Sequence, residues 1–162
     1  MYPNFKTKPF NHQLQALGCS WSKDNFAYFM EMGTGKSKVL IDNIAMLYDS
    51  GKINAAVIIA PKGVYRNWER LEIPAHLPEH IETRVTTWVA PSSRRKEDTK
   101  SLEKLSESFD GLDIFLMNVE ALAHKPAVDF LQKYLLGTLS LLCVDESTTI
   151  KSPSAQRTKN IL

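Results

Sequence analysis

Apolar runs alternate with helical patterns along most of the chain. Apolar stretches at residues 26–30, 55–60, 84–89, 113–117 and 140–144 predict strands. Several are apolar at successive positions rather than alternate ones, the pattern of strands buried on both faces. Between them, apolar periodicity near 3.6 predicts helices near residues 11–21, 36–49, 65–75, 94–108 and 119–136. This repeated alternation predicts one α/β domain, a mostly parallel sheet with helices on both faces. The punctuation fits: Gly51 is placed for a left-handed cap after the second helix, Ser93 can cap a helix beginning at Arg94, and Asp110-Gly111 turns the chain into the next strand. Trp68 is expected to pack its helix onto the sheet.

Composition narrows the class. A chain of 162 residues is long enough to bury about two-thirds of its unfolded surface. With 43% hydrophobic and 23% charged residues it is neither a disordered tail nor a coiled coil. No apolar run approaches the roughly 20 residues of a membrane span, and the opening MYPNFKTKPF lacks a signal-peptide layout, so a cytoplasmic protein without a membrane partner is expected. Cys19 and Cys143 have no CxxC spacing and read as buried, reduced thiols. A net charge of +2 is too small to argue for nucleic acid by itself, so such a partner must be argued from local patches.

The strongest chemical signal is Glu31-Met32-Gly33-Thr34-Gly35-Lys36-Ser37, between an apolar stretch and a predicted helix. Gly33 and Gly35 let the backbone curl so that successive N–H groups point at one anion. Lys36 can reach terminal phosphates and the Ser37 hydroxyl can ligate magnesium. A cation at a helix N-terminus opposes the helix dipole, so Lys36 is wrongly signed for structure alone, and a bound phosphate reverses that penalty. Met30 stands where the strict GxxxxGK[ST] pattern has its first glycine.

Downstream, Leu141-Leu142-Cys143-Val144 leads into adjacent acids, Asp145 and Glu146. Carboxylates at the tip of an apolar strand need a cation or hydrogen-bond donors to receive them. In a nucleotide site Asp145 holds magnesium through its water shell and Glu146 orients the attacking water. Loop and acids together define an NTPase pattern.

With these residues in place, the sequence resembles the N-terminal RecA-like lobe of superfamily-two helicases, in the Swi/Snf-like DNA translocase branch. The run from Phe29 to Ser37 is similar to forms frequent among bacteriophages, and an acidic-Met-Gly loop without the first glycine is normal in that branch. Phe10-Asn11-His12-Gln13 resembles the Q motif, which implies that Gln13 contacts adenine. Ala60-Pro61-Lys62 with Asn67-Trp68-Glu69, and Asn118-Val119-Glu120-Ala121-Leu122, resemble the DNA-facing motifs. Asp145-Glu146-Ser147-Thr148 and Ile150-Lys151-Ser152-Pro153-Ser154 resemble the DEAH-type motif and its extension, with Thr148 in place of the usual histidine.

The resemblance implies ATP and Mg2+ as cofactors. ATP would be bound by Gln13, Met32, Gly33, Thr34, Gly35, Lys36 and Ser37, and magnesium by Ser37 and Asp145. Lys36 and Glu146 would be the catalytic pair, with DNA, expected as duplex held by its backbone, at Lys62, Arg66 and Asn118. For Arg66 and Arg70 a solvated helix face is an equal reading, as it is the better one for Arg94-Arg95-Lys96. His76 and His80 are separated by Leu77-Pro78, and no metal site is expected there. The basic stretch with Lys151, Arg157 and Lys159 reads either as a DNA-facing edge or as a surface meeting a second lobe.

Residues 1–162 are thus expected to form a truncated lobe that lacks the third motif, the second RecA-like lobe and its arginine finger. Without that finger, hydrolysis is expected to be slower by roughly 10³–10⁵-fold. Since the family's third-motif strand lies between the phosphate-loop strand and the carboxylate strand, a swapped or partner strand in a homo-oligomer could fill its place. The alternatives are the motor part of a restriction-type translocase and a standalone nucleotide- or protein-binding regulatory module. A small-molecule kinase fits least, because nothing resembles a lid.

Overall fold

The structure, a computed structural model, describes residues 4–146. Four strands, β1 (Ala55–Ala60), β2 (Thr83–Thr87), β3 (Leu112–Asn118) and β4 (Ser140–Val144), form one sheet in the order β2-β3-β1-β4. Every pairing in it is parallel, as expected. All six residues of β1 are fully buried, which explains why that stretch is apolar throughout.

The two faces of the sheet carry separate cores. On one face, Ala56, Ile58 and Ala60 of β1 meet α2 (Lys36–Asp49) through Leu40, Ile41 and Ile44. Trp68 and Ile73 join them from a helical run built of α3 (Tyr65–Asn67), a π-helical turn (Trp68–Glu72) and α4 (Ile73–His76). On the other face, Ala55, Val57 and Ile59 meet α5 (Lys96–Lys104) through Leu102 and α6 (Lys125–Leu136) through Leu131 and Tyr134. The first helix, α1 (Asn11–Ser20), packs against α2. Arg84 of β2 lies opposite Asp113 of β3 and forks onto its carboxylate at 2.6 and 2.8 Å, a bidentate pair that pins this register.

Several expectations needed correction. Residues 26–30 form no strand and join no ladder, and Phe29 is 97% exposed. Apolar character alone does not seat a run in a sheet: β1 is flanked on both sides, and the outer edge of β4 takes no partner among the described residues. Arg95, not Ser93, precedes the α5 helix, and its N–H is received by the Asp98 carboxylate at 2.7 Å. The last predicted helix is split into a 3₁₀ turn (Val119–Ala123) and α6, which starts beside Pro126. Cys19 is exposed, because α1 buries Gln13, Leu17 and Ser20 and turns position 19 away; Cys143 is partly buried. Gly51 does take the left-handed conformation, with φ of 69°, after α2. Among the described residues no helix is long and apolar enough to cross a membrane. Residues 147–162, including Thr148 and the basic Lys151, Arg157 and Lys159, lie outside the described residues.

One side chain in the second core is poorly satisfied. Tyr134 sets its ring 5.4 Å from that of Phe115 at a tilt of 56°, yet its buried hydroxyl has no hydrogen-bond partner among the described residues. A buried unpaired hydroxyl costs on the order of 1–3 kcal/mol. Tyr134→Phe keeps the ring and removes the orphan, so urea unfolding should show equal or greater stability, by up to about 1 kcal/mol. A loss of more than about 1 kcal/mol would contradict this picture of the site.

Candidate functional site

The loop before α2 is shaped by two glycines with left-handed backbones, Gly33 at φ 78° and Gly35 at φ 79°. Both values suit glycine and strain any other residue. Thr34 ties the turn from within, its hydroxyl donating to Glu31 O at 2.7 Å. Gly35 is the N-cap of α2, and no side chain caps the helix there. The loop therefore leads directly into a helix N-terminus with unpaired N–H groups and a positive dipole end.

Lys36 answers its unfavourable position by folding back. Its Nζ donates to Met30 O at 3.1 Å and to Glu31 O at 2.9 Å, so the ammonium sits among the loop's own carbonyls. Ser37, half-buried, follows in the first turn, and Met32 is almost fully exposed at the loop tip.

Gln13 holds the loop from the side. It is 4% exposed; its Nε2 donates to Thr34 O at 3.1 Å and its Oε1 accepts the Phe10 N–H at 2.9 Å. Nε2 of His12 lies 3.0 Å from the same Thr34 oxygen, which can only accept, so that ring nitrogen carries the proton. In this arrangement Gln13 fixes the loop backbone, a duty that the sequence pattern did not announce. His12 was not singled out either: one exposed histidine beside a motif residue carries no signal of a partner 22 positions away. A side chain at Gly35 would run into the Gln13 carboxamide.

The parallel sheet gathers the other candidates at its carboxyl edge. Ala60 at the end of β1 pairs with Asn118 at the end of β3, and Ile59 pairs with Val144 of β4. Lys62, Asn118 and Asp145 consequently lie at or just beyond three neighbouring strand ends, where open α/β sheets place their ligand crevices. The Asp145 N–H continues the ladder by donating to Ile59 O at 2.8 Å, and its Oδ2 accepts the Trp68 indole N–H at 3.1 Å. Glu146 is exposed with φ of 51°, a left-handed conformation that costs a non-glycine residue roughly 1–2 kcal/mol. Burial pushes the Cys143 thiol up to about 12, and the Asp145 charge adds to the effect.

For magnesium, the donors offered are hard oxygens, the Ser37 hydroxyl and the Asp145 carboxylate. The described residues contain no cluster of three or more His, Cys, Asp or Glu side chains suited to a metal. A sparse oxygen set of this kind fits a magnesium ion that keeps waters and takes substrate phosphates, better than an ion held in a protein cage.

The candidate nucleic-acid residues are less uniform. Lys62 is exposed. Arg66 is exposed and leans on Tyr65, its Nε donating to the phenol oxygen at 3.3 Å, and that contact raises its pKa above the usual guanidinium value. Asn118 has a structural duty: its Oδ1 accepts the Ala121 N–H at 2.8 Å and caps the 3₁₀ turn. Elsewhere, His80 faces Asp49 at 3.0 Å, and His76 Nδ1 lies 2.8 Å from the Thr7 hydroxyl.

No family model matches the chain, and no curated protein matches it in sequence. Among solved structures it is similar to the Sulfolobus solfataricus SWI2/SNF2 ATPase core in complex with double-stranded DNA, with a TM-score of 0.68 and 16% identity. That match covers 99% of this chain and 31% of the other, so the chain spans about a third of the length of that ATPase core. At this identity the likeness shows the fold. The chain has an α/β fold with an all-parallel sheet, the architecture of a RecA-like lobe, and in this it is similar to part of that ATPase core.

The left-handed loop makes a direct stability prediction. Gly35→Ala forces a Cβ into a left-handed position against Gln13 and should destabilise the chain by about 1–2 kcal/mol in urea unfolding. Gly18, inside α1 with nothing within 4 Å of an added Cβ, is the control. Gly18→Ala should gain up to about 1 kcal/mol. An unchanged midpoint for Gly35→Ala would contradict the loop conformation.

Proposed function

We propose that this chain is the ATP-binding lobe of an ATP-dependent DNA translocase or helicase, working with magnesium and a second RecA-like lobe. The observation that carries the reading is the loop 31–37: two left-handed glycines deliver the chain into an uncapped helix N-terminus, with a lysine folded among the loop carbonyls. Such a loop presents backbone N–H groups and a movable cation to the same anion.

On this reading Lys36 leaves Met30 O and Glu31 O for the terminal phosphates, exchanging two neutral acceptors for charged ones. Gln13 and His12 hold Thr34 while that exchange takes place. The Ser37 hydroxyl and the Asp145 carboxylate hold magnesium, which neutralises charge on the phosphates. Glu146, next to Asp145 and exposed, orients the attacking water and takes up its proton. Phosphoryl transfer needs mostly positioning and charge stabilisation, which is what these groups offer. DNA would lie along the carboxyl edge of the sheet near Lys62, Arg66 and Asn118, held by phosphate contacts rather than by base readout. Support for that partner comes from the similar ATPase core, which was solved with double-stranded DNA.

Ligand-induced thermal stabilisation tests the nucleotide site. At a hundredfold excess over Kd, magnesium-ATP should raise the melting temperature by about 5–10 °C. Lys36→Ala should abolish most of that rise while leaving the ligand-free melting temperature nearly unchanged. An unshifted wild-type curve would overturn the reading.

A further inference from the structure

Trp68 is 2% exposed and contributes to the core between β1 and the helical run that follows it. A buried indole N–H needs an acceptor. Here that acceptor is Oδ2 of Asp145, 3.1 Å away and 77 positions along the chain. Asp145, partly buried, also gains from a donor, because it directly follows the apolar residues 141–144 of β4. The two requirements meet in one bond. The indole can only donate, so it takes one lone pair of Oδ2 and leaves the remaining acceptor positions of the carboxylate for a cation or its waters.

The local backbone is shaped around this contact. Residues Trp68–Glu72 form a π-helical turn, closed by the Ile73 N–H donating to Trp68 O. The sequence supplies a cause in Pro74, which has no N–H to offer Arg70 O and whose ring would crowd that carbonyl in a regular α-helix. Widening the turn relieves the clash. Single π turns inside helices occur frequently at functional sites. This one starts at the residue whose side chain reaches the carboxylate, in the same run that carries Arg66 and Arg70.

We propose that Trp68 is a positioning residue for the metal-holding carboxylate: its indole N–H fixes the orientation of Asp145 and ties it to the helical run that follows β1. The proposal rests on the reading of Asp145 as a magnesium carboxylate. It gives Trp68 a role beyond packing, since a phenylalanine would fill most of the same space and leave Asp145 unheld. Outer partners of metal ligands commonly change metal affinity by about 10–100-fold when removed.

The experiment uses the 162-residue chain, labelled with 15N, and ADP as the probe. Its 3 tryptophans give 3 indole N–H signals, and Trp68→Phe assigns the one of interest. Asp145→Asn should move that signal; an unmoved signal overturns the bond itself. ADP affinity is then measured with magnesium and with EDTA. Trp68→Phe should lose roughly tenfold or more of the magnesium-dependent gain and leave the affinity in EDTA unchanged. Equal losses in both conditions would reduce Trp68 to packing, and no loss in either would remove its role; both results overturn the proposal. Should Trp68→Phe not fold, Trp21→Phe and Trp88→Phe assign the Trp68 indole signal by elimination, and the wild-type signal decides: it should shift with magnesium-ADP and not with ADP in EDTA, and identical spectra overturn the proposal. Failure of the functional reading shows separately, as a wild-type chain without magnesium-dependent ADP binding or as an Asp145→Asn variant that keeps it.

Discussion

The burial of β1 on both faces is the constraint on which the rest depends. A six-residue strand with no exposed side chain must have a helical layer above and below it and a strand on each side. Parallel pairing with β3 and β4 then brings three strand ends to one edge, each with a polar residue at or just beyond it. Lys62, Asn118 and Asp145 are far apart in sequence, and only this register makes them neighbours along one rim. The strand is apolar for packing reasons, and the site is a consequence of where it stops.

A second layer of organisation is the way the loop before α2 satisfies itself. Its carbonyls receive Lys36, Gln13 and His12, while N–H groups at the start of α2 have neither a capping side chain nor a negative charge nearby in the first turn. Acceptors are covered and donors are left over, an imbalance suited to an anion. The carboxylate side is organised in the opposite sense: Asp145 is an acceptor and receives its donor from Trp68. Loop and carboxylate thus offer complementary groups, donors on one side and acceptors on the other, and on the proposed reading magnesium with phosphate would engage both.

Much of this was legible in the sequence, and the exceptions share a cause. Four of the five predicted strands lie within two residues of their observed limits, because burial on two faces leaves a run of apolar residues that no surface element needs. Residues 26–30 look the same in sequence yet remain outside the sheet, since apolarity says that a segment can be a strand but not which edge will receive it. The glycines of the loop were readable, as their conformation is a local property. The bonds from Gln13 and His12 to Thr34, and from Trp68 to Asp145, were not, since each joins residues 21 or more positions apart. Cys19 was misread for a simpler reason: its helix is only weakly amphipathic, so the solvent side is poorly marked.

The central claim is that phosphate is received by the backbone at the start of α2. The most direct measurement follows the backbone amide signals of Gly33, Gly35, Lys36 and Ser37 by NMR as magnesium-ADP is added. Large, saturable shifts concentrated on these four amides are the predicted result. Saturable shifts centred elsewhere, with these amides unmoved, would contradict it.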